Sequence, residues 1–532
     1  MALRASGELC AAPRGRDRET GVEAQRTDPG RARRSRWTAG AALVLGMAAV
    51  NFVWMPGEFL DGDPHAWREE TRSLLLHGEL KVPAAYAQGF GEPGQYFVRN
   101  ERTGLYYSKY GVANVLFTLP PMWLQQAVGG DITVTGRLPS LFLFNLWYVA
   151  LGAVLAALLY ALSAAYSGHV SVRVLFVIGV MYCTSLWFYQ RAQSSELYQT
   201  ILFTALFMGL VAFLRPLGER GPRGLDSRAW ACLAAVWLCA ALLVFTRVIY
   251  GLLLPLVVLL AACAAVAGRS WRELRSCPPG LAAALLVPPA LIVALLGAVN
   301  HVKFGAPWLT GYHQWKPELH WPIGPLADGL WGFLFSPRFS IFLYFPLLPF
   351  ALLGLKRFAE RHRLDAVAML TIFAAFLLAL AKLPSWAGEW TYGPRYLLFI
   401  LPVLSLPFLV FADDVLERLG TWQARAWALA VIASLGYSAY LQAQVNRLPF
   451  FTYYNARIAG RTPESIAYFY DHHVGVICDD LVRHRANLEE LPFFAELKRD
   501  APPDFVRDYR AALTAMLARG NLYWTLPPGE RR

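Results

Sequence analysis

Two aspartates and a histidine follow the first apolar segment of the chain. The segment ends near residue 56, and Asp61, Asp63 and His65 come soon after it in an Asp-Gly-Asp-Pro-His sequence. Gly and Pro favour a turn there, which brings the two carboxylates near one point. A carboxylate at a membrane surface can act as a general base toward a hydroxyl or amine, or bind a divalent cation. An exposed turn that uses Asp for its local hydrogen bonds is the alternative.

Glu196 is the third acidic candidate. It follows Ser194 and Ser195 between two apolar segments. Ser as the cap and Glu in the first turn also stabilise the start of a helix, so a purely structural role remains open. The predicted position of Glu196 on the same membrane face as Asp63 favours a catalytic role.

Three cationic residues lie among aromatic or apolar residues. Arg247 interrupts an apolar run, Lys109 lies in Tyr-Tyr-Ser-Lys-Tyr-Gly, and Arg395 lies in Tyr-Gly-Pro-Arg-Tyr. Because an arginine at the centre of a span costs about 2.5–3.5 kcal/mol on insertion scales, we expect Arg247 at a helix break near the surface, binding a lipid phosphate. Snorkelling of Arg247 and an ordinary aromatic belt are the alternatives. The predicted phosphate- and substrate-binding residues are Lys109, Arg247, Arg395, His65, Tyr107 and Tyr396.

The elements that must position these residues are membrane spans. Of 532 residues, 56% are hydrophobic and 16% are charged, against about 25% charged in typical soluble domains. The sequence therefore predicts an all-α polytopic membrane protein with about 11 transmembrane helices, each near the ~20 residues that cross a bilayer. The predicted spans are 38–56, 138–163, 172–189, 198–214, 230–246, 249–266, 281–299, 339–355, 366–381, 396–411 and 427–444.

The distribution of basic residues orients these spans. The formal net charge is +12, but the basic residues cluster in short connections between spans, which indicates cytoplasmic loops rather than a nucleic-acid surface. With eleven spans and a cytoplasmic N-terminus, every such cluster lies inside the cell and the C-terminus lies outside, in a multi-pass protein of the inner or plasma membrane. The clusters are Arg173; Arg215, Arg220, Arg223 and Arg228; Arg269, Arg272 and Arg275; and Lys356, Arg357, Arg361, His362 and Arg363.

The apolar segment 112–128 does not fit this count as a further span. It contains two consecutive prolines and is flanked by glycines, so we expect an interfacial or re-entrant segment shielded by protein. The predicted regions are a basic, disordered cytoplasmic tail at 1–37, a transmembrane catalytic bundle at 38–445 with a long external loop at 57–137, and an external helical appendage at 446–532. Long loops on rigid scaffolds often carry function.

Several short sequences resemble, in order, those of the GT-C glycosyltransferases that use polyprenyl-phosphate sugars. The branch concerned lies near the protein O-mannosyltransferases and the lipid A aminoarabinose transferases. The sequences that carry the resemblance are Gly62-Asp63-Pro64-His65, Tyr107-Ser108-Lys109-Tyr110-Gly111, Gly136-Arg137-Leu138-Pro139-Ser140, Thr246-Arg247, Phe304-Gly305, Thr310-Gly311-Tyr312, Gly332-Phe333-Leu334-Phe335-Ser336-Pro337 and Gly393-Pro394-Arg395-Tyr396.

The resemblance implies a GT-C-like fold and an inverting glycosyl transfer. A monosaccharide would move from a polyprenyl-phosphate carrier to a glycan, lipid or protein acceptor at the external face. Asp63 would match the acidic residue usually assigned as the base, and Glu196 the second acidic position. Relatives often have Asp-Glu where this chain has Asp63-Pro64, so Asp61 is a candidate for the missing carboxylate and, with Asp63, for binding a divalent cation.

Two other functions use similar membrane chemistry. A lipid-linked glycan flippase or transporter would gather charge near the bilayer midplane and often shows internal repeats, whereas this chain gathers charge at one surface. An O-antigen polymerase or ligase would use a pyrophosphate-linked donor. The sequence contains no phosphate-binding glycine loop of the nucleotide-binding kinds, so direct use of ATP or a nucleotide sugar is not expected.

Overall fold

The computed structural model describes most of the predicted membrane bundle. The described residues are 29–59, 63–90, 94–136, 139–266, 278–315, 317–388, 392–447, 483, 487, 498–499, 502–520 and 522–525. Asp61, the first 28 residues, the basic cluster at 269–275 and most of the predicted C-terminal appendage lie outside the described residues.

Helices dominate the described residues. The first half of the chain contains α1 (Pro29–Val53), α2 (Pro64–His77), α3 (Ala84–Gly89), α4 (Ala113–Ala127), α5 (Leu141–Ser163), α6 (Val170–Tyr182), α7 (Leu186–Arg191), α8 (Ser195–Arg220), α9 (Ser227–Thr246) and α10 (Leu253–Val266). The second half contains α11 (Pro279–Phe304), α12 (Gly311–Gln314), α13 (Pro317–His320), α14 (Leu326–Phe335), α15 (Ile341–Tyr344), α16 (Leu347–Arg361), α17 (Arg363–Ala381), α18 (Leu401–Leu404), α19 (Pro407–Glu417), α20 (Trp422–Arg447) and α21 (Pro503–Arg519). Single 3₁₀ turns are Pro222–Gly224, Val248–Leu252, Arg395–Leu397 and Tyr523–Thr525.

The helices confirm an all-α polytopic membrane protein. Each of the eleven predicted spans contains helix, and seven described helices are long and apolar enough to cross a membrane. The others are shorter or interrupted. In the predicted spans 339–355 and 396–411, the interruptions lie at Pro346 and just before Pro402 and Pro407, which stand in the first turns of α18 and α19, because proline removes a backbone donor and clashes with the preceding turn.

Helix α8 lies at the centre of the bundle, and α11 lies at its edge. In α8, 78% of the most apolar stretch is buried, and its neighbours include α5, α9 and α10. In α11 the buried share is 11%, so this helix offers most of its apolar surface to lipid. A central α8 holds its first residues, including Glu196, in a fixed position at one end of the bundle.

The opposite end of the bundle carries ion pairs between predicted cytoplasmic residues. Arg215, at the end of α8, pairs with Asp365 in the first turn of α17. Arg357 pairs with Asp414, and the His169 Nδ1 atom lies 3.1 Å from the Asp413 Oδ1 atom. The predicted basic clusters that the structure describes therefore lie at one end, away from Glu196.

The first predicted external loop is folded. It contains α2, α3, an antiparallel pair of strands, β1 (Phe97–Arg99) and β2 (Tyr106–Ser108), and the 15-residue helix α4. Helix α4 includes Pro120 and Pro121 and packs against α2, α5 and α9, so the protein shields part of this segment. Its interfacial position in the membrane stays a prediction.

The last described residues contact the end of the first predicted span, just before this loop. The backbone N–H of Tyr523 donates to the carbonyl oxygen of Met55 over 2.7 Å, and the Trp524 indole donates to the carbonyl oxygen of Phe52 over 3.0 Å. At the end of α20, the Asn446 carbonyl oxygen accepts from Arg191. The C-terminal segment therefore lies at the same end of the bundle as the exit of α1.

Candidate active site

Asp63 precedes α2, and its carboxylate is directed away from the helix terminus. It stands at the N-cap, with Pro64 as the first helical residue, yet its side chain accepts no capping hydrogen bond. Its Oδ1 atom accepts from the Tyr110 hydroxyl over 2.6 Å, and its Oδ2 atom accepts from Arg395 Nη2 over 2.9 Å. Long-range contacts rather than the local turn thus orient this carboxylate.

The charge of Asp63 is stabilised by its surroundings. Burial raises the pKa of its carboxyl, but Arg395, Lys109, the Tyr110 hydrogen bond and Arg247 together outweigh burial and hold the pKa below its usual value. An opposite charge and a hydrogen-bond donor both favour the ionised form. Asp63 is therefore a carboxylate at neutral pH and able to accept a proton.

Glu196 joins the two arginines. Its Oε1 atom lies 2.6 Å from Arg395 Nε and 2.7 Å from Arg247 Nη2. Its other oxygen accepts from the hydroxyl groups of Ser194 and Ser195. Because the Glu196 side chain is only 1% exposed, its position suits it to orient the arginines more than to receive a proton from a substrate.

Lys109 lies among aromatic rings. Its Nζ atom is 3.6 Å from the ring centroid of Trp315, 5.2 Å from that of Tyr110 and 5.3 Å from that of Tyr312. Such cation–π contacts hold an ammonium group without neutralising its charge. Lys109 therefore keeps a positive charge in a defined place beside Asp63.

Two glycines allow the segment around Lys109 to pack closely. A Cβ atom at Gly111 would overlap the carbonyl oxygen of Phe245, and one at Gly311 would overlap the backbone of Lys109. The Asn114 side chain also donates to the Thr246 carbonyl oxygen over 3.3 Å. The first loop, the end of α9 and α12 can meet here because no side chain separates their backbones.

A cleft lies between these elements. It is lined by Lys109, Arg247 and Lys303, and no described carboxylate is among the residues that line it. Its apolar lining comes from the ends of α9 and α11 and includes Val244 and Leu296. The cleft is narrow, with a cavity volume of about 20 Å³. Cations at an apolar opening suit an anion attached to a hydrophobic chain.

The structure gathers most, but not all, of the residues predicted for the site. Asp63, Glu196, Lys109, Arg247 and Arg395 lie together. Tyr396 also joins them, because the Arg247 guanidinium lies 5.6 Å from the centroid of its ring.

Tyr107 and His65 have other surroundings. Tyr107 pairs with Val98 across the two strands, and the charges that act on its hydroxyl come from Lys81, Glu79 and Glu70. Burial and the neighbouring Arg68 lower the pKa of His65 to about 4, so it is uncharged at neutral pH and poorly suited to bind phosphate.

Four residues at the site were not predicted from the sequence: Glu70, Tyr110, Lys303 and Tyr312. Tyr110 and Tyr312 stand in the short sequences that suggested the family, next to Lys109 and Gly311. Lys303 ends an apolar span, where a lysine usually snorkels toward water. Burial at that position is the signal that only the folded structure provides.

The predicted divalent cation has no complete set of ligands among the described residues. No group of three or more His, Cys, Asp or Glu side chains in that part of the chain could hold a metal ion. Tyr110 and Arg395 both donate to Asp63. A cation site that includes Asp61 stays a prediction, because Asp61 lies outside the described residues.

Comparisons with known proteins identify the fold. No protein-family model and no curated protein matches the sequence. The archaeal oligosaccharyltransferase AglB from Archaeoglobus fulgidus, solved with an inhibitory peptide and a dolichol-phosphate, matches with a TM-score of 0.50 and 12% identity, covering 82% of this chain and 59% of that one. ArnT from Cupriavidus metallidurans, bound to undecaprenyl phosphate, matches with a TM-score of 0.46 and 14% identity, covering 92% of this chain and 76% of that one. The chain thus spans 59% of the length of the archaeal protein, and its membrane bundle shares the fold of that protein, in agreement with the fold that the resemblance implies.

Proposed function

We propose that the protein is an integral membrane glycosyltransferase. It would transfer a monosaccharide from a polyprenyl-phosphate carrier to a glycan, lipid or protein acceptor at the external membrane face. The observation that carries the proposal is the cleft in which Lys109 and Arg247 meet the apolar ends of α9 and α11, beside the ionised Asp63. The archaeal protein of similar fold was solved with a dolichol-phosphate, which has the same lipid-phosphate chemistry.

The proposed reaction is a single displacement at the anomeric carbon of the donor sugar. Asp63 removes the proton from the acceptor hydroxyl or amine, the acceptor atom bonds to the anomeric carbon, and the bond from that carbon to the phosphate oxygen breaks. A carboxylate offers about four lone-pair positions, so Asp63 can accept from the acceptor while Tyr110 and Arg395 still donate to it. Attack opposite the leaving group inverts the anomeric configuration.

The cations act on the leaving group. The polyprenyl phosphate gains negative charge as the sugar departs, and charge-assisted contacts from Lys109, Arg247 and Arg395 become stronger at that point. Glu196 holds the two arginines in a fixed arrangement before the donor arrives. We therefore assign Asp63 as the base, the three cations as phosphate ligands and Glu196 as the residue that orients the arginines.

A panel of donors tests this function. The purified protein is reconstituted in liposomes with polyprenyl-monophosphate sugars, polyprenyl-pyrophosphate sugars and nucleotide sugars, and release of the lipid carrier is measured with an acceptor mixture from cell envelopes. We expect release of polyprenyl phosphate from at least one monophosphate donor and no turnover of nucleotide sugars. Turnover of pyrophosphate-linked donors alone would favour the polymerase or ligase instead.

A further inference from the structure

An ion pair between Glu70 and Lys303 is buried next to the candidate active site. Glu70 belongs to α2 and Lys303 to the last turn of α11, and their side chains are 0% and 1% exposed. The Lys303 Nζ atom lies 2.9 Å from Glu70 Oε1 and 3.2 Å from Glu70 Oε2. Because desolvation costs several kcal/mol per ion, apolar residues of similar volume often stabilise a fold at least as well. Stability alone therefore gives little reason for this pair.

Both members of the pair also bind the backbone on either side of Lys109. The N–H of Ser108 donates to Glu70 Oε1 over 2.8 Å. The Lys303 ammonium donates to the carbonyl oxygen of Tyr110, also over 2.8 Å. The pair therefore fixes the residue before Lys109 and the residue after it.

The fixed segment carries two side chains of the proposed site. Lys109 lies against the Trp315 ring, and the Tyr110 hydroxyl donates to Asp63 over 2.6 Å. The end of α11 is anchored in turn, because the Asn100 side chain donates to the Val302 carbonyl oxygen over 2.9 Å. One buried pair thus connects α2, the exit of β2 and α11 at the point from which Lys109 and Tyr110 project.

We propose that Glu70 and Lys303 are positioning residues that hold the 108–110 backbone, so that Lys109 faces the donor phosphate and Tyr110 reaches Asp63. This inference rests on the proposed function and deepens it. Glu70 is fully buried and acts through its neighbours rather than on the substrate. Displacement of a reacting group by about 1 Å can cost roughly 10²-fold in rate, so loosening this segment should reduce turnover in a folded protein.

The main variant combines Glu70→Leu with Lys303→Met, which removes both charges and both hydrogen bonds to the 108–110 backbone and leaves no unpaired ion. Its partner in a double-mutant cycle is Tyr110→Phe. We expect the paired replacement to lower kcat by roughly 10- to 100-fold with a modest fall in the thermal midpoint, because the Ser108 N–H and the Tyr110 carbonyl lose their partners. In the Tyr110→Phe background the same replacement should cost less, because the part of the loss that depends on the Tyr110 hydroxyl is already present. Full multiplication of the two losses would overturn the route through Tyr110 and Asp63.

Two further variants separate positioning from general loosening. Glu70→Asp keeps the charge but is one methylene shorter, so it should withdraw from the Ser108 N–H and lower kcat even if the double replacement does not fold. Arg215→Met with Asp365→Asn removes an ion pair at the opposite end of the bundle, and it should leave kcat and the donor KM unchanged. Normal kcat in Glu70→Asp, or equal losses in the Arg215–Asp365 control, would contradict a positioning role.

Hydrogen–deuterium exchange tests the anchoring without any donor. The amides of residues 108–111 should exchange faster in Glu70→Leu/Lys303→Met, whereas those in the middle of α5 should not change. If the wild-type protein turns over no donor, the proposed function fails, and this exchange result still decides whether the pair anchors the segment. Unchanged exchange at 108–111 would overturn the anchoring, and faster exchange with normal kcat would overturn its link to the reaction.

Discussion

At the scale of single residues, the proposed base and the proposed phosphate ligands are different groups joined by direct contacts. Asp63 receives hydrogen bonds from Tyr110 and Arg395, and Arg395 also contacts Glu196. Glu196 in turn binds Arg247. The two carboxylates suit the different roles proposed for them, because Asp63 is partly accessible with 25% of its side chain exposed, whereas Glu196 is buried.

Replacement of the base gives the first prediction. Asp63→Asn is nearly isosteric but removes the proton acceptor, so we expect turnover to fall by roughly 10³-fold, or about 4 kcal/mol of transition-state stabilisation. Binding of polyprenyl phosphate should persist, since the cations remain. Turnover and lipid binding are measured on the same preparation. Wild-type turnover would transfer the role of base to Asp61 or Glu196.

Arg247 gives a prediction for donor binding. Arg247→Ala should raise the KM for the lipid donor and lower kcat, because a phosphate ligand is lost. Arg247→Lys should recover part of the loss, since an ammonium lacks the two-pronged geometry of a guanidinium. The donor KM and the thermal midpoint are measured on one detergent preparation. Reduced stability with an unchanged donor KM would assign Arg247 a structural role.

The acidic limb of the pH profile depends on Tyr110. A base must be ionised to act, and the pKa of Asp63 lies below its usual value of 3.8, so its limb in kcat/KM lies below about pH 4. Tyr110→Phe removes a hydrogen bond that lowers this pKa, and the limb should therefore move to higher pH. The profile of kcat/KM is compared for the two proteins. A limb that stays in place would mean that Asp63 does not set it.

The residues of the site were predictable only in part. Charges next to aromatic residues and after membrane spans indicate Asp63, Glu196, Arg247 and Arg395, because such charges are costly without a function. The contact between Asp63 and Tyr110 joins residues 47 positions apart, and no local pattern encodes it. Lys303 was missed because a lysine at the end of a span has an ordinary explanation in snorkelling.

At the scale of elements, long apolar runs in the sequence predict the presence of helices well. They predict the points at which those helices are interrupted less well. The predicted spans at 198–214 and 427–444 lie within α8 and α20. The helices of the predicted spans are interrupted near Pro346 and Pro402, because a helix loses a backbone hydrogen bond at proline. Hydropathy does not predict these interruptions, since proline hardly lowers the mean hydropathy of an apolar run. The folded loop 57–137 has no long apolar repeat to reveal α2 or the two strands.

Gly111 provides a prediction about how the elements meet. Gly111→Ala would place a Cβ atom against the Phe245 carbonyl oxygen, and overpacking of this kind costs about 1–3 kcal/mol. We expect a lower thermal midpoint and a higher donor KM, because the cleft wall moves. Gly46→Ala in α1 is the matched control, since nothing lies within 4 Å of its added Cβ. Equal behaviour of the two variants would show that the close approach is unimportant.

At the scale of the whole molecule, the distribution of charged residues and the contacts between elements both distinguish two ends of the helix bundle. Asp63, Glu196 and Arg247 lie at one end, and the ion pairs of Arg215 and Arg357 lie at the other. The Asn446 carbonyl accepts from Arg191, whose Nε donates to the Trp54 carbonyl oxygen over 2.6 Å. The end of α20 therefore shares the end of the bundle at which the first loop begins.

Reporter fusions test which end faces the cytoplasm. By the positive-inside rule, a reporter after Leu225 should lie in the cytoplasm and one after Asn446 should lie outside. Topology is measured with a pair of reporters that are active on opposite sides of the membrane. A cytoplasmic reporter after Asn446 would mean that the segment 112–128 crosses the membrane or that a later span does not.

The most direct test of the central claim is the release of polyprenyl phosphate from a polyprenyl-monophosphate sugar. Wild-type protein and Asp63→Asn are reconstituted in liposomes at equal amounts and supplied with the same donor and acceptor mixture. The account predicts release of the lipid phosphate together with sugar transfer by the wild-type protein, and a loss of roughly 10³-fold in the variant. Equal release by both proteins, or no release by the wild-type protein from any monophosphate donor, would contradict the account.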